Sequence, residues 1–148
     1  MSTTKRVMRA TPEQVWEVLA DGWLYPLWVV GATRMREVDD EWPAPGSRLH
    51  HSVGTWPLTL DDRTEVEESV PGTRLKLNAH AWPAGRADVI ITLHAQGSDT
   101  EVVIEEQAVS GPGAIVPRVA QDPLLTWRNV ESLRRLAFLA ERRQQPAA

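Results

Sequence analysis

The feature that most constrains this chain is a long stretch of alternating apolar and polar residues, cut at nearly regular intervals by turn-forming clusters. The clusters are "PAPG" (43–46), "TWP" (55–57), "VPGT" (70–73), "WPAG" (82–85) and "QGSDT" (96–100). Around them lie strand candidates over 33–39, 47–55, 58–69, 73–82, 87–95 and 100–109. Gly and Pro interrupt regular structure, one by its backbone freedom and the other by its fixed φ and missing N–H. Successive side chains of a strand face opposite ways, so a period of two marks a sheet with one dry face. Short strands spaced about a dozen residues apart read as an antiparallel meander.

The flanks follow a different period. "TKRVMRA" (4–10) is a first strand. "TPEQVWEVLAD" then carries the signals of a helix start: Thr11 as N-cap, Pro12 at the first helical position, and Glu13 and Gln14 in the first turn. Val15, Trp16, Val18 and Leu19 supply its apolar face, and Asp21–Gly22 stops it. "WLYPLWVVG" (23–31) is a second short helical piece, bent at Pro26 and ended by Gly31. "SGPGAIVP" (110–117) is too punctuated to be regular throughout. "QDPLLTWRNVESLRRLAFLAERR" (121–143) has Pro123 near its start and apolar residues at 125, 133, 136 and 140, the pattern of one long amphipathic helix. The tail "QQPAA" is expected to fray. The order predicts an α+β fold in one domain over 1–148: a seven-stranded antiparallel sheet, two short helices after the first strand, and a long C-terminal helix covering one face.

Composition narrows the function classes. A net charge of −4 argues against a nucleic-acid surface. The absence of cysteine excludes disulfides, thiol nucleophiles and thiolate zinc sites. No apolar run approaches the ~20 residues of a membrane span, so stable membrane insertion is not expected. "MSTTKRVMRATPEQ" lacks the apolar core of a signal peptide, so the cytoplasm is the expected location. Two lysines stand against fourteen arginines, a bias that suggests a GC-rich bacterial genome. Seven tryptophans accompany only one Tyr and one Phe. Trp is rarely buried completely, so seven imply several packing corners or an aromatic-walled cavity.

Several local sequences resemble the START-like superfamily, also called SRPBCC or helix-grip, and in particular its polyketide cyclase/dehydrase-like branch. They are "ATPEQVWEVLAD", "WVVG" (28–31), "PGSRL" (45–49), "PGTRLKL" (71–77), "GSDTEVVIEE" (97–106) and "LRRLAFLAER" (133–142). The resemblance implies a deep cavity between a curved sheet and the long helix. It also implies a range of functions that includes lipid carriers, hormone sensors and aromatase/cyclases, with no catalytic motif common to all. No catalytic residue follows from it, so site residues must be read from the strand faces.

Alternation places Val102, Ile104 and Glu106 on one face, and Val89, Ile91 and Leu93 on the corresponding face of the preceding strand. Leu75, Leu77, Ala79 and Ala81 form another inner set, with Lys76, Asn78, His80 and Trp82 outside. The small Ala79 and Ala81 leave room, either for a ligand or for tryptophan rings. Glu106 on a desolvated face is a candidate general acid or base; the alternative is a structural carboxylate paired with Arg118, Arg128 or the Asn129 amide. Asn129 shares a helical stripe with Leu125, Leu133 and Leu136 and should face the sheet. Asp62 is in phase with Thr64 and Val66, but Asp61 beside it makes a one-residue slip into solvent the preferred reading. Arg128 and Glu131 are expected to form a surface ion pair, and Arg134, Arg135, Arg142 and Arg143 a solvated face.

His50 and His51 are adjacent in a strand and point opposite ways, so they do not share a metal ion, and no metal or other cofactor is expected. His51, in phase with Leu49 and Val53, is the inward one; His50 groups with Ser52 and Trp56. A bulge at Gly54 would return Trp56 to the cavity side. Trp23, Tyr25 and Trp28, on the piece that borders the cavity mouth in this superfamily, are candidates for ring stacking. Trp16 is expected in the core and Trp42 and Trp82 at turns; Trp56 and Trp127 are each wall or plug.

The expected function is binding of a hydrophobic small molecule, aromatic or polyketide-like, through Trp23, Tyr25, Trp28, Trp56, Ala79, Ala81, Ile91, Asn129 and Leu133. The alternative is an aromatase/cyclase-type enzyme with Glu106 and His51 as acid/base groups. A third class, a protein that modulates another protein, has no residue in its favour, and a homodimer is left open. Hydrolytic mechanisms lack their Gly-x-Ser-x-Gly, His-Glu-x-x-His and Gly-rich phosphate motifs.

Overall fold

The computed structural model describes residues 2–30, 32–53, 60–81, 85–110 and 118–142. The chain runs β1 (Ser2–Met8), α1 (Pro12–Ala20), a 3-10 turn (Gly22–Leu24) and α2 (Tyr25–Trp28). Six strands follow: β2 (Ala32–Val38), β3 (Arg48–Val53), β4 (Leu60–Val70), β5 (Arg74–Ala81), β6 (Gly85–Gln96) and β7 (Asp99–Ser110). The long helix α3 (Arg118–Arg142) comes last. All seven strands form one antiparallel sheet in the order β1-β7-β6-β5-β4-β3-β2. The α+β architecture therefore follows the alternation, with strand bounds displaced by a few residues at most. Trp56, Trp82, the Gly54 bulge, Gly31, the "SGPGAIVP" stretch after its first residue and the tail lie outside the described residues.

Local chemistry accounts for each element's ends. Thr11 Oγ1 accepts from the Gln14 N–H at 3.2 Å, and Gln14 Oε1 accepts from the Thr11 N–H at 2.8 Å. This reciprocal capping box satisfies two N–H groups that a helix start leaves unpaired. The β6–β7 turn needs only Gly97–Ser98; Gly97 sits at φ +64°, as the first central residue of a type II′ hairpin requires. Helix α2 stops at Trp28, three residues before Gly31, and α3 starts three residues earlier than expected.

Register shifts interrupt the ladders between Met35 and Glu37, Val66 and Glu68, and Arg86 and Ala87. Such bulges bend a strand and increase its twist, which lets a wide sheet wrap around a helix. Between β3 and β4 the ladder runs unshifted, with His51 opposite Asp62 and His50 opposite Arg63. The slip expected at Asp62 does not occur, because six consecutive pairs hold the backbone in phase with Thr64.

The inner sheet face and α1, α2 and α3 share one core. Leu49, Val66, Leu75, Ile91, Val102 and Ile104 come from the sheet; Val15 and Val18 from α1; Leu133, Leu136, Ala137 and Ala140 from α3. Trp16 packs against this core as expected. Trp42 is buried at its turn, its Nε1 donating to the Leu19 carbonyl at 3.1 Å. The outer face is laced by polar cross-strand pairs. Asn78 Nδ2 donates to Asp88 Oδ1 at 3.0 Å, and Lys76 Nζ lies 3.1 Å from Glu67.

Candidate functional site

Beneath α2 and α3 the inner face opens into a cavity of about 70 Å³. Tyr25, Trp28 and Val29 roof one side. Leu77 and Ala79 of β5, Val89 and Ile91 of β6, and Ile104 and Glu106 of β7 form the floor. Arg128, Asn129 and Ser132 close it from α3. The strand residues alternate along their chains, so period two alone puts all six on this wall. Tyr25 and Trp28 are three apart on a helical turn and share its inward side, their rings edge-on with centroids 5.6 Å apart. Ser132 Oγ accepts from the Val30 N–H at 3.2 Å, tying the exit of α2 to α3.

The charged wall is an ion pair. Glu106 is 4% exposed, and both its carboxylate oxygens accept from Arg128 Nη2. Asn129 Nδ2 donates to Oε2 at 3.1 Å. Two neighbouring helical residues thus grip one buried carboxylate, which matches the paired-carboxylate reading of Glu106. The surface pair expected between Arg128 and Glu131 does not form. Arg128 turns inward, and Glu131 instead accepts from Arg134 and Arg135, at 2.7 to 3.0 Å. These two guanidinium groups, Arg134 first, hold the Glu131 carboxyl well below its ordinary 4.5, at about 2.

His51 faces inward and is 3% exposed, while His50 is half-buried on the other face with Nε2 3.4 Å from Asp39 Oδ1. The two-faced reading of the pair holds, but His51 sits behind the cavity wall. Its ring stacks on Tyr25 with centroids 5.4 Å apart, and Thr64 Oγ1 bridges them, 3.0 Å from His51 Nε2 and 3.3 Å from the Tyr25 hydroxyl. It supports Tyr25 from behind. Glu106 and His51 lie on β7 and β3, four strand spacings or roughly 19 Å apart along the sheet. They are not brought together as an acid/base couple.

Other candidates sit elsewhere. Trp23 is 58% exposed and borders an outer depression with Glu17, Asp39 and Asp40. It stands two positions before Tyr25, which on a helical turn means nearly the opposite side. Leu133, one turn beyond Asn129, is buried in the core away from the cavity. Trp127, expected as wall or plug, is 65% exposed. Ala81 ends β5 opposite Gly85. Of the lining residues, Leu77, Val89 and Ile104 are expected only as inward-facing strand residues and Arg128 only as a partner for Glu106, while Val29 and Ser132 are not expected at all. Ser132 is three residues from Asn129 on the same stripe, a signal that could have found it.

Among the described residues, no three His, Cys, Asp or Glu side chains are grouped as metal ligands would be. Among the same described residues, no helix is long and apolar enough to cross a membrane.

A curved antiparallel sheet wrapped on a long C-terminal helix, with a cavity between them, defines a helix-grip protein of the START-like superfamily. Within it, the family model described as Activator of Hsp90 ATPase homolog 1-like protein matches residues 9–118, and the chain belongs to that family. Comparison with curated proteins finds no match. Solved structures share the fold. Protein NE0264 from Nitrosomonas europaea is 17% identical with a TM-score of 0.75, over 96% of this chain and 94% of that one. A Rhodobacter sphaeroides protein is 25% identical with a TM-score of 0.70, over 93% and 89% of the two chains. DynU16, a protein in the dynemicin biosynthetic locus, is 18% identical with a TM-score of 0.68, over 95% of this chain and 46% of its own.

Proposed function

We propose that this protein binds a hydrophobic small molecule, aromatic or polyketide-like, in the cavity between sheet and C-terminal helix. One observation carries the reading: apolar strand residues and two aromatic rings converge on a cavity whose charged wall, among the described residues, is the Glu106–Arg128 pair. Apolar walls with a few placed polar groups are the usual make-up of small-molecule sites. The fold shared with a protein of a biosynthetic locus is in keeping with a small-molecule ligand. Tyr25, Trp28, Ala79, Ile91 and Asn129 are the ligand contacts, and His51 holds Tyr25 in place. An aromatase/cyclase activity would fall to Glu106 alone, because His51 is remote from it. Even there, Arg128 and Asn129 occupy the carboxylate, so proton transfer would first require breaking the pair.

Native mass spectrometry and thermal shift with 2-naphthol, indole and tryptamine test the proposal. Ligand at about 100 times its Kd adds about 2.7 kcal/mol, which for a domain of this size raises Tm by roughly 5–10 °C. The absence of both adduct and shift for all three compounds would remove the reading.

A further inference from the structure

Glu106 and Arg128 differ in their freedom to move. Glu106 is held by β7 between β1 and β6, and Asn129 fixes its carboxylate. Arg128 reaches it on a long unbranched stem, with its side chain 35% exposed. The guanidinium can withdraw into water while its stem stays against the protein; the carboxylate cannot follow. We infer that Arg128 is an exchangeable plug, and that the ligand of this cavity is a hydrophobic molecule carrying a protonated amine, which takes the guanidinium's place on Glu106.

This rests on the ligand-binding reading above and narrows its chemistry. A buried carboxylate without a cation is strongly unfavourable. A neutral ligand that displaced Arg128 would leave Glu106 uncompensated, and an anionic one would draw Arg128 away and add a like charge. An amine conserves the pair, exchanging one charge-assisted hydrogen bond for another. Tyr25 and Trp28 line the same cavity, and aromatic rings of this kind favour a cation as neighbour. Space points the same way. The cavity's 70 Å³ is smaller than the roughly 150 Å³ in which an engineered cavity takes benzene, and withdrawal of the guanidinium supplies room where the amine must sit.

The test is calorimetric titration at neutral pH with benzylamine, benzyl alcohol and benzoate, on the wild type, Glu106→Gln and Arg128→Ala, each checked for folding by circular dichroism. Benzylamine should bind the wild type about tenfold more tightly than benzyl alcohol, as a charged hydrogen bond exceeds a neutral one. Glu106→Gln should abolish that preference, and Arg128→Ala should strengthen amine binding by removing its competitor. If Arg128→Ala does not fold, the comparison of wild type with Glu106→Gln decides alone. Equal binding of amine and alcohol, an amine preference that survives Glu106→Gln, or benzoate binding that requires Arg128 overturns the amine inference and leaves the hydrophobic-ligand reading intact. No binding of any probe to any variant removes both.

Discussion

Replacing Arg128 by Ala should destabilise the protein by roughly 2–3 kcal/mol, between the 3–5 of a broken buried pair and the 0–1 of an exposed one. The intermediate value follows from the geometry. Glu106 is nearly inaccessible, but water reaches Arg128, so solvent recovers part of the loss. Glu106→Gln removes the charge and leaves an amide beside Asn129, with Arg128 free to hydrate; about 1 kcal/mol is expected. The double variant strands no charge and should lose only about 1–2 kcal/mol, less than the sum of the singles, giving a coupling of roughly 2 kcal/mol. Urea unfolding of the four proteins gives these values directly. At about 2–4 °C per kcal/mol, the Arg128→Ala Tm should fall by roughly 4–12 °C. Strict additivity, or a loss below about 0.5 kcal/mol for Arg128→Ala, would mean that the pair contributes nothing and that the carboxylate is satisfied without its cation.

Other perturbations probe the supports of the site. His51→Ala removes the ring stacked on Tyr25 and one hydrogen bond to Thr64, and should cost roughly 2–4 kcal/mol; His50→Ala should cost under about 1 kcal/mol. The reverse order in urea unfolding would contradict the facing of β3. A Cβ on Gly22 would come within 2.5 Å of Leu49 Cδ2 and 2.8 Å of Val38 Cγ1, so Gly22→Ala should destabilise by about 1–3 kcal/mol, measurable as a lower Tm. Glu131 should titrate near 2 by carboxyl NMR. Its folded-state value is depressed, so its stabilising effect is present above about 4.5 and fades as pH falls toward 2. A midpoint at 4.5 would show that the Arg134 and Arg135 bonds do not persist in solution.

The sheet was legible because strands report themselves twice, by alternation and by the turns between them. Ile91, Ile104 and Glu106 were placed inward by counting in twos, and His51 was separated from His50 the same way. Helical side chains were harder. Trp23 was grouped with Tyr25 and Trp28 by proximity in the chain, when a turn of helix puts it on the other side. Arg128 has two acids on offer in the sequence, Glu131 three residues along its own helix and Glu106 on the facing strand. Only the packing of α3 against the sheet decides for Glu106. Leu133 and Asn129 share a stripe, but only the packing of α3 shows where along that stripe cavity gives way to core.

The pairing of β1 with β7 sets the order in which this molecule can be completed. Ser2 lies opposite Glu106 in that ladder, and the Ser2 hydroxyl also contacts Thr126 of α3 at 3.2 Å. Ladders between distant segments form late, because the intervening chain must be ordered before they can close. Hairpins such as β6–β7 can assemble locally, but the first strand must wait for the seventh. During synthesis β1 therefore remains without its ladder partner until β7 has been made. The cavity carboxylate gains its flanking strand only in that final closure.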